Sequence, residues 1–131
     1  MFERFTEKAI NVVSESQNLA KISGCTEVLP EHLLLALVEE AKGVSLKLFR
    51  MYGVTPEAVK SAVSEYIKGS NKIYEYIPFS HSLKDILKHT LDLAGKSGNT
   101  NILFEHVFLA VITEKNSNIQ EILAKFNFDV Y

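Results

Sequence analysis

The chain has 131 residues, of which 47% are hydrophobic and 23% are charged, and its formal net charge is −2 at pH 7. This length and balance indicate one soluble globular domain, residues 1–131, that is able to bury a core. The lysines are spread along the chain between acidic residues, which argues against a nucleic-acid partner because phosphate contacts need a clustered basic surface. The longest apolar runs have six residues, whereas a membrane span needs roughly 20. We therefore expect no transmembrane helix and no membrane partner.

The first residues and the cysteine content predict the compartment. MFERFTEKAINVV breaks up its apolar residues with charges and lacks the apolar block of a signal peptide. The single cysteine, Cys25, cannot form a disulfide within the chain. A cytoplasmic, reducing location is the simplest interpretation.

The chain repeats itself at an interval of 74 residues without a gap. PEHLLLAL at 30–37 matches FEHVFLAV at 104–111, and the same shift superposes other identical residues. The matches concentrate on apolar positions and turns, whereas chance matches would scatter, so we interpret them as a duplicated structural unit. We predict a first repeat over 5–68, a connection over 69–78 and a second repeat over 79–131.

The first repeat begins with two predicted helices. Thr6 is a good N-cap for a helix that continues to about Ile22, and Gly24 supplies the left-handed residue that ends it. The second helix covers 31–40, and its run LLLALV predicts that it is the most buried helix because it is apolar on every side.

Two shorter helices are predicted to complete the first repeat. One covers 44–52 and stops at Gly53. The other begins at Thr55-Pro56-Glu57, a strong helix-start signal, and continues to about Ile67.

The second repeat copies three of these helices. Ser80 takes the place of Thr6, Gly98 takes the place of Gly24, and the next helices are expected over 105–114 and 118–126. Asp129 stands where a fourth helix would begin, two residues before the last residue. The predicted fold is therefore all-α, with two tandem pseudo-two-fold related repeats of about four helices each, the last helix being cut short. We expect either a piece of a longer protein or a domain that dispenses with that helix.

The doubled Glu-His pair has a simple structural interpretation. Glu31 and Glu105 stand in the first turn of their helices, where the helix dipole favours an acid by roughly 0.3–1 kcal/mol. His32 and His106 are expected mainly to form hydrogen bonds to nearby backbone.

Other site chemistries have weaker support. The four histidines come with neither an HExxH motif nor a cysteine cluster, so we expect no metal ion. Cys25 is predicted to be an inert turn residue, and no GxSxG motif marks a catalytic serine. A helix-turn-helix would need a basic recognition helix, which the sequence does not supply. The histidines in question are His32, His81, His89 and His106.

The connection ends in an aromatic and apolar segment, IYEYIPF, at 73–79. We predict that this segment packs as a strap across the groove between the repeats. The alternative is an exposed apolar patch that contacts unfolded proteins.

FTEKAINVV, a turn of small residues and EHLLLALVEE, all doubled, resemble the N-terminal domain of the Clp family of AAA+ unfoldases, most closely the ClpC and ClpA type. The resemblance covers essentially the whole chain. It implies a non-catalytic module that receives adaptor and substrate proteins for an ATP-driven ring and its peptidase. The chain has no GxxxxGK[ST] loop, so no cofactor is expected in this domain and ATP would belong to the attached ring.

The resemblance also implies one site for phosphorylated arginine in each repeat. The glutamate of the Glu-His pair faces the guanidinium, and a hydroxyl at the start of the first helix helps to hold the phosphate. Carried over to this chain, the pairs are Glu31 with Thr6 and Glu105 with Ser80.

Two departures from the family pattern favour general adaptor or peptide binding. The family often has Gly-Thr before Glu-His, whereas this chain has Leu29-Pro30 and Leu103-Phe104. The alternative function is a free-standing regulator of the same fold that competes for the same adaptors or binds the Clp machine.

Overall fold

The computed structural model describes residues 1–115 and 117–128. Every regular secondary-structure element in this part of the chain is an α-helix, so the predicted all-α class is confirmed. The helices in chain order are α1 (Glu7–Ile22), α2 (Pro30–Glu40), α3 (Gly43–Met51), α4 (Pro56–Val63), α5 (His81–Lys96), α6 (Phe104–Ile112) and α7 (Ile119–Ala124).

The first helix of each repeat follows the predicted interval closely. α5 begins and ends 74 positions after α1, and both have the predicted N-caps. Thr6 Oγ1 accepts a hydrogen bond from the Ala9 N–H at 3.3 Å, and Ser80 Oγ accepts one from the Leu83 N–H at 3.1 Å. These hydroxyls satisfy backbone donors that a helix start leaves without a partner.

Three helices end two or more residues earlier than predicted, and one of them is α7, which stops at Ala124 instead of about Phe126. α4 stops at Val63 instead of about Ile67, because the Tyr66 N–H bonds the Val63 carbonyl and tightens the turn. α6 stops at Ile112 instead of Glu114. Thr113 closes it by bonding the Leu109 carbonyl with both its N–H and its hydroxyl.

α2 is the central helix, as predicted. It contacts α1, α4, α5, α6 and α7, and every residue from Pro30 to Val38 is buried. A helix surrounded on all sides needs an apolar residue at every position, which LLLALV supplies.

The connection at 73–79 divides into two parts. Ile77 and Phe79 pack against the core, and Phe79 pairs with Val28. Ile73 and Tyr76 are 81% and 80% exposed. Residues 77–79 therefore pack as the predicted strap. The residues before them correspond to the alternative, an exposed apolar segment.

Two further predictions have different outcomes. Gly24 and Gly98 have φ values of +68° and +72°, which confirms the left-handed helix ends. The predicted helix start at Asp129 lies outside the described residues.

No helix within 1–115 and 117–128 combines the length and the apolar character needed to cross a bilayer.

Candidate functional site

The two histidines of the Glu-His pairs cap their own helices. Leu29 and Leu103 are the N-cap residues of α2 and α6 and have no side-chain acceptor to offer. His32 Nδ1 accepts a hydrogen bond from the Leu29 N–H, and His106 Nδ1 accepts one from the Leu103 N–H, both at 2.9 Å. The predicted backbone hydrogen bonds are thus confirmed, and they explain why an apolar residue is tolerated at each N-cap.

The second ring nitrogen of each histidine also has a polar neighbour. His32 Nε2 lies 3.3 Å from Ser23 Oγ, and His106 Nε2 lies 3.3 Å from Asn99 Nδ2. Within the described ranges, no three His, Cys, Asp or Glu side chains come together as a metal site.

His32 should make folding sensitive to acid. Burial lowers the pKa of His32 from 6.5 to about 4, so between these values the unfolded chain binds more protons than the folded chain. The contribution of His32 to stability must then fall as the pH falls, by about 2 kcal/mol between pH 7 and 4.5. Glu31 and Glu39 contribute in the opposite direction, because burial raises the pKa of each carboxyl. Urea unfolding of the parent and of a variant without this imidazole, across this range, measures the contribution of His32.

A His32→Gln variant is the control for this pH dependence, because its side-chain oxygen can still accept from the Leu29 N–H but does not titrate. Between pH 7 and 4.5 we expect the stability of this variant to rise relative to that of the parent by about the same 2 kcal/mol. Parallel pH profiles for the parent and His32→Gln would contradict the assignment.

Each candidate hydroxyl lies beside the Glu-His pair of the other repeat. The Ser80 N–H donates to the Val28 carbonyl at 2.9 Å, just before α2, whereas the Thr6 N–H donates to the Ile102 carbonyl at 3.0 Å, just before α6. Parallel bridges join the same segments, Val28 with Phe79 and Phe5 with Ile102. The predicted pairing of Glu31 with Thr6 and of Glu105 with Ser80 is therefore wrong. Ser80 accompanies the Glu31 helix, and Thr6 accompanies the Glu105 helix.

Glu31 lies in an enclosed environment. Its side chain is 4% exposed, and Asn118 Nδ2 donates a long hydrogen bond of 3.4 Å to its Oε1. Burial raises the pKa of Glu31, because desolvation disfavours the charged form. A pocket of about 320 Å³ adjoins it, lined by Leu29, Pro30, Glu31, Tyr66, Ser82, Ser117 and Asn118.

Glu105 lies in an open environment. The residue is exposed and lines a second pocket of about 320 Å³ between α6, the start of α1 and α3. Lys8 and Lys42 line the same pocket, and Lys8 Nζ lies 4.8 Å from the centre of the Phe104 ring. The remaining lining residues are Gly43, Val44, Ser45, Leu48 and Phe108.

The two pockets are repeat-related but differ in charge. Lys8 of the Glu105 pocket corresponds to Ser82 of the Glu31 pocket, and Val44 corresponds to Asn118. The Glu105 pocket combines one carboxylate, two ammonium groups and an apolar floor. Such a set can hold a ligand that carries a cation, an anion and an aliphatic stem.

Sequence reasoning missed Lys8, Lys42, Ser82 and Asn118. A lysine in the first turn of a surface helix is usually solvated, so its type and position gave no signal. The 74-residue interval relates Lys8 to Ser82 and Val44 to Asn118. Once the exchange between repeats is known, this interval therefore indicates each of the missed residues except Lys42.

The fold and these pockets define a duplicated all-helical domain with one polar pocket between the repeats on each side. The model of the Clp repeat (R) N-terminal domain matches residues 4–126, and the chain belongs to this family. The chain is 34% identical over 131 residues to an ATP-dependent Clp protease ATP-binding subunit ClpA homolog of Guillardia theta, covering 99% of this chain and 16% of the relative. It is 33% identical to the chloroplastic chaperone protein ClpC2 of Arabidopsis thaliana, covering 98% and 14%.

Solved structures share the fold. The N-terminal domain of ClpD from Arabidopsis thaliana superposes with a TM-score of 0.81 at 26% identity, covering 98% of this chain and 88% of that one. A ClpV N-domain in complex with a VipB peptide has a TM-score of 0.72 at 18% identity, covering 97% and 81%. The chain spans about one sixth of the length of the curated relatives it matches.

Proposed function

We propose that this chain is the recognition module of an ATP-driven Clp unfoldase in the cytoplasm, and that it binds adaptor and substrate proteins without catalysis of its own. Family membership supports this proposal, because the matched relatives are ATP-binding subunits and chaperones. The ClpV N-domain offers a parallel, since that protein was solved with a bound peptide. The ATPase ring and its peptidase would be supplied by the full-length protein.

We propose further that the Glu105 pocket binds phosphorylated arginine on substrate proteins. The observation that carries this assignment is the grouping of Glu105 with Lys8 and Lys42 in one open pocket. A carboxylate pairs with a guanidinium through two N–H···O bonds, and the lysines complement a phosphate. Thr6, the N-cap of α1, lies near the start of α6, because its N–H donates to the Ile102 carbonyl.

Calorimetric titration of the free phosphoarginine amino acid tests this assignment. The parent should bind one molecule per chain, and Glu105→Gln should weaken binding by about tenfold or more, because a hydrogen bond to a charged group contributes roughly 1.5–3 kcal/mol. Lys8→Met should also weaken binding and reduce its dependence on salt.

Glu31→Gln is the matched control, since it changes the repeat-related glutamate that is buried. Its affinity for phosphoarginine should equal that of the parent. The absence of binding by a folded parent, or an equal loss in Glu31→Gln, would overturn the assignment and direct the search to adaptor proteins.

A further inference from the structure

Glu31 and Glu105 differ in exposure because the helices that face them begin differently. These helices are α7 beside Glu31 and α3 beside Glu105. α3 begins at Gly43, which has a φ of +62°, and the next residue, Val44, has a side chain that is 75% exposed. The copies of these residues are Ser117 and Asn118, and α7 begins only at Ile119. Without the left-handed glycine, Ser117 and Asn118 precede the helix and line the Glu31 pocket.

Asn118 makes a contact to Glu31 that a ligand could otherwise make. Its amide Nδ2 donates to Glu31 Oε1, and a guanidinium N–H approaching a carboxylate would use the same geometry. Val44, at the equivalent position, has no donor in its side chain, and Glu105 is exposed.

We propose that Asn118 is an internal plug that occupies the guanidinium position at Glu31 and closes the second of two repeat-related sites. The ligand class, a guanidinium group, rests on the proposed function, whereas the closure itself does not. The chain would then present one open site and one latent site, although its sequence repeats the Glu-His pair in both.

The plug can be removed without dismantling the fold. Asn118 is exposed, and its hydrogen bond of 3.4 Å is long. α7 is held by Ile119, Ile122 and Leu123, all 0% exposed, which face the core. A smaller side chain at position 118 should therefore open the pocket and leave α7 in place.

Carbodiimide labelling of carboxylates, read by mass spectrometry, tests the closure without any ligand. In the parent, Glu31 should be labelled several-fold less than the exposed Glu105. Asn118→Ala should raise labelling of Glu31 toward that of Glu105, and Asn118→Val, which installs the residue of the first repeat, should do the same. Asn71→Ala, the matched control, removes an exposed asparagine of the connection and should leave labelling of both glutamates unchanged. Continued protection of Glu31 in both Asn118 variants would overturn the proposal.

Titration with phosphoarginine separates this proposal from the proposed function. If both hold, the parent binds one molecule and Asn118→Ala binds two, and the added site is lost in an Asn118→Ala, Glu31→Gln double variant. If Glu31 becomes labelled in Asn118→Ala but neither protein binds phosphoarginine, the plug stands and the ligand assignment fails. If the parent binds at Glu105 and Asn118→Ala adds no site at a labelled Glu31, the guanidinium part of the inference fails.

Discussion

Replacing Phe49 with alanine is expected to lower the free energy of unfolding by about 4 kcal/mol, since truncation of a buried phenylalanine usually costs 3–5 kcal/mol. Phe49 is 0% exposed and is the one buried residue of α3. Its ring lies 5.3 Å from the Phe108 ring and 5.7 Å from the Phe128 ring, so it joins the first repeat to the second. Urea denaturation with the slope m held in common measures the loss.

Two variants bracket this expectation. Met51→Ala changes a residue at the end of the same helix that is 76% exposed, so its effect should stay within about 0.5 kcal/mol. Phe49→Leu keeps most of the volume and should cost less than about 1.5 kcal/mol. A loss below about 1 kcal/mol in Phe49→Ala would show that α3 is not anchored through this ring.

The anchoring of α3 also concerns the candidate site. One wall of the Glu105 pocket is formed by residues that belong to α3 or directly precede it, namely Lys42, Gly43, Val44 and Leu48. Phe49 follows Leu48 and faces the core. We therefore expect Phe49→Ala to weaken ligand binding even where the domain remains folded, because the lysine-bearing wall loses its fixed position.

The sequence was sufficient to predict most of the fold because its local signals agree with one another. Thr6 and Ser80 are strong caps, Gly24 and Gly98 end the helices they follow, and LLLALV requires a surrounded helix. Periodicity and capping act over a few residues, so they are visible in the sequence. The errors lie at helix C-termini, where the choice between another turn and a tighter bend depends on weak local hydrogen bonds.

The candidate site was only partly predictable because it is formed between repeats. The segments before α1 and α5 are copies of each other, as are those before α2 and α6, so an arrangement within each repeat and one exchanged between repeats are equally compatible with the sequence. The backbone pairings of Phe5 with Ile102 and of Val28 with Phe79 decide the question. The difference between Glu31 and Glu105 likewise depends on Asn118, which is distant in sequence from Glu31.

The exchange also explains why two sites with the same Glu-His pair need not have the same function. Each pocket takes its glutamate from one repeat and most of its remaining polar residues from the other. Substitutions in the second repeat, such as serine at the position of Lys8 and asparagine at that of Val44, therefore change the Glu31 pocket and leave the Glu105 pocket unaltered. Duplication followed by divergence of one wall is enough to leave one open site and one closed site.

Replacing Gly24 with alanine is expected to destabilise the domain by about 3 kcal/mol, and replacing Gly98 by only about 1 kcal/mol. Both glycines end a first helix with nearly the same φ, so both variants bear the cost of a left-handed alanine. They differ in their surroundings. A Cβ at position 24 would lie 2.1 Å from the Ser70 carbonyl oxygen, whereas a Cβ at position 98 would meet nothing within 4 Å.

The close approach at Gly24 is fixed by hydrogen bonds, so the backbone cannot move aside cheaply. The Ser70 N–H donates to the Ser23 carbonyl at 3.0 Å, and Ser70 Oγ donates to the Gly24 carbonyl at 2.8 Å. An added methyl group must break this pairing between the end of α1 and the connection. Thermal and urea unfolding of the two alanine variants, made in the same background, isolate the steric part as their difference of about 2 kcal/mol. Equal losses at the two positions would mean that the connection yields freely and that only the left-handed backbone requires glycine.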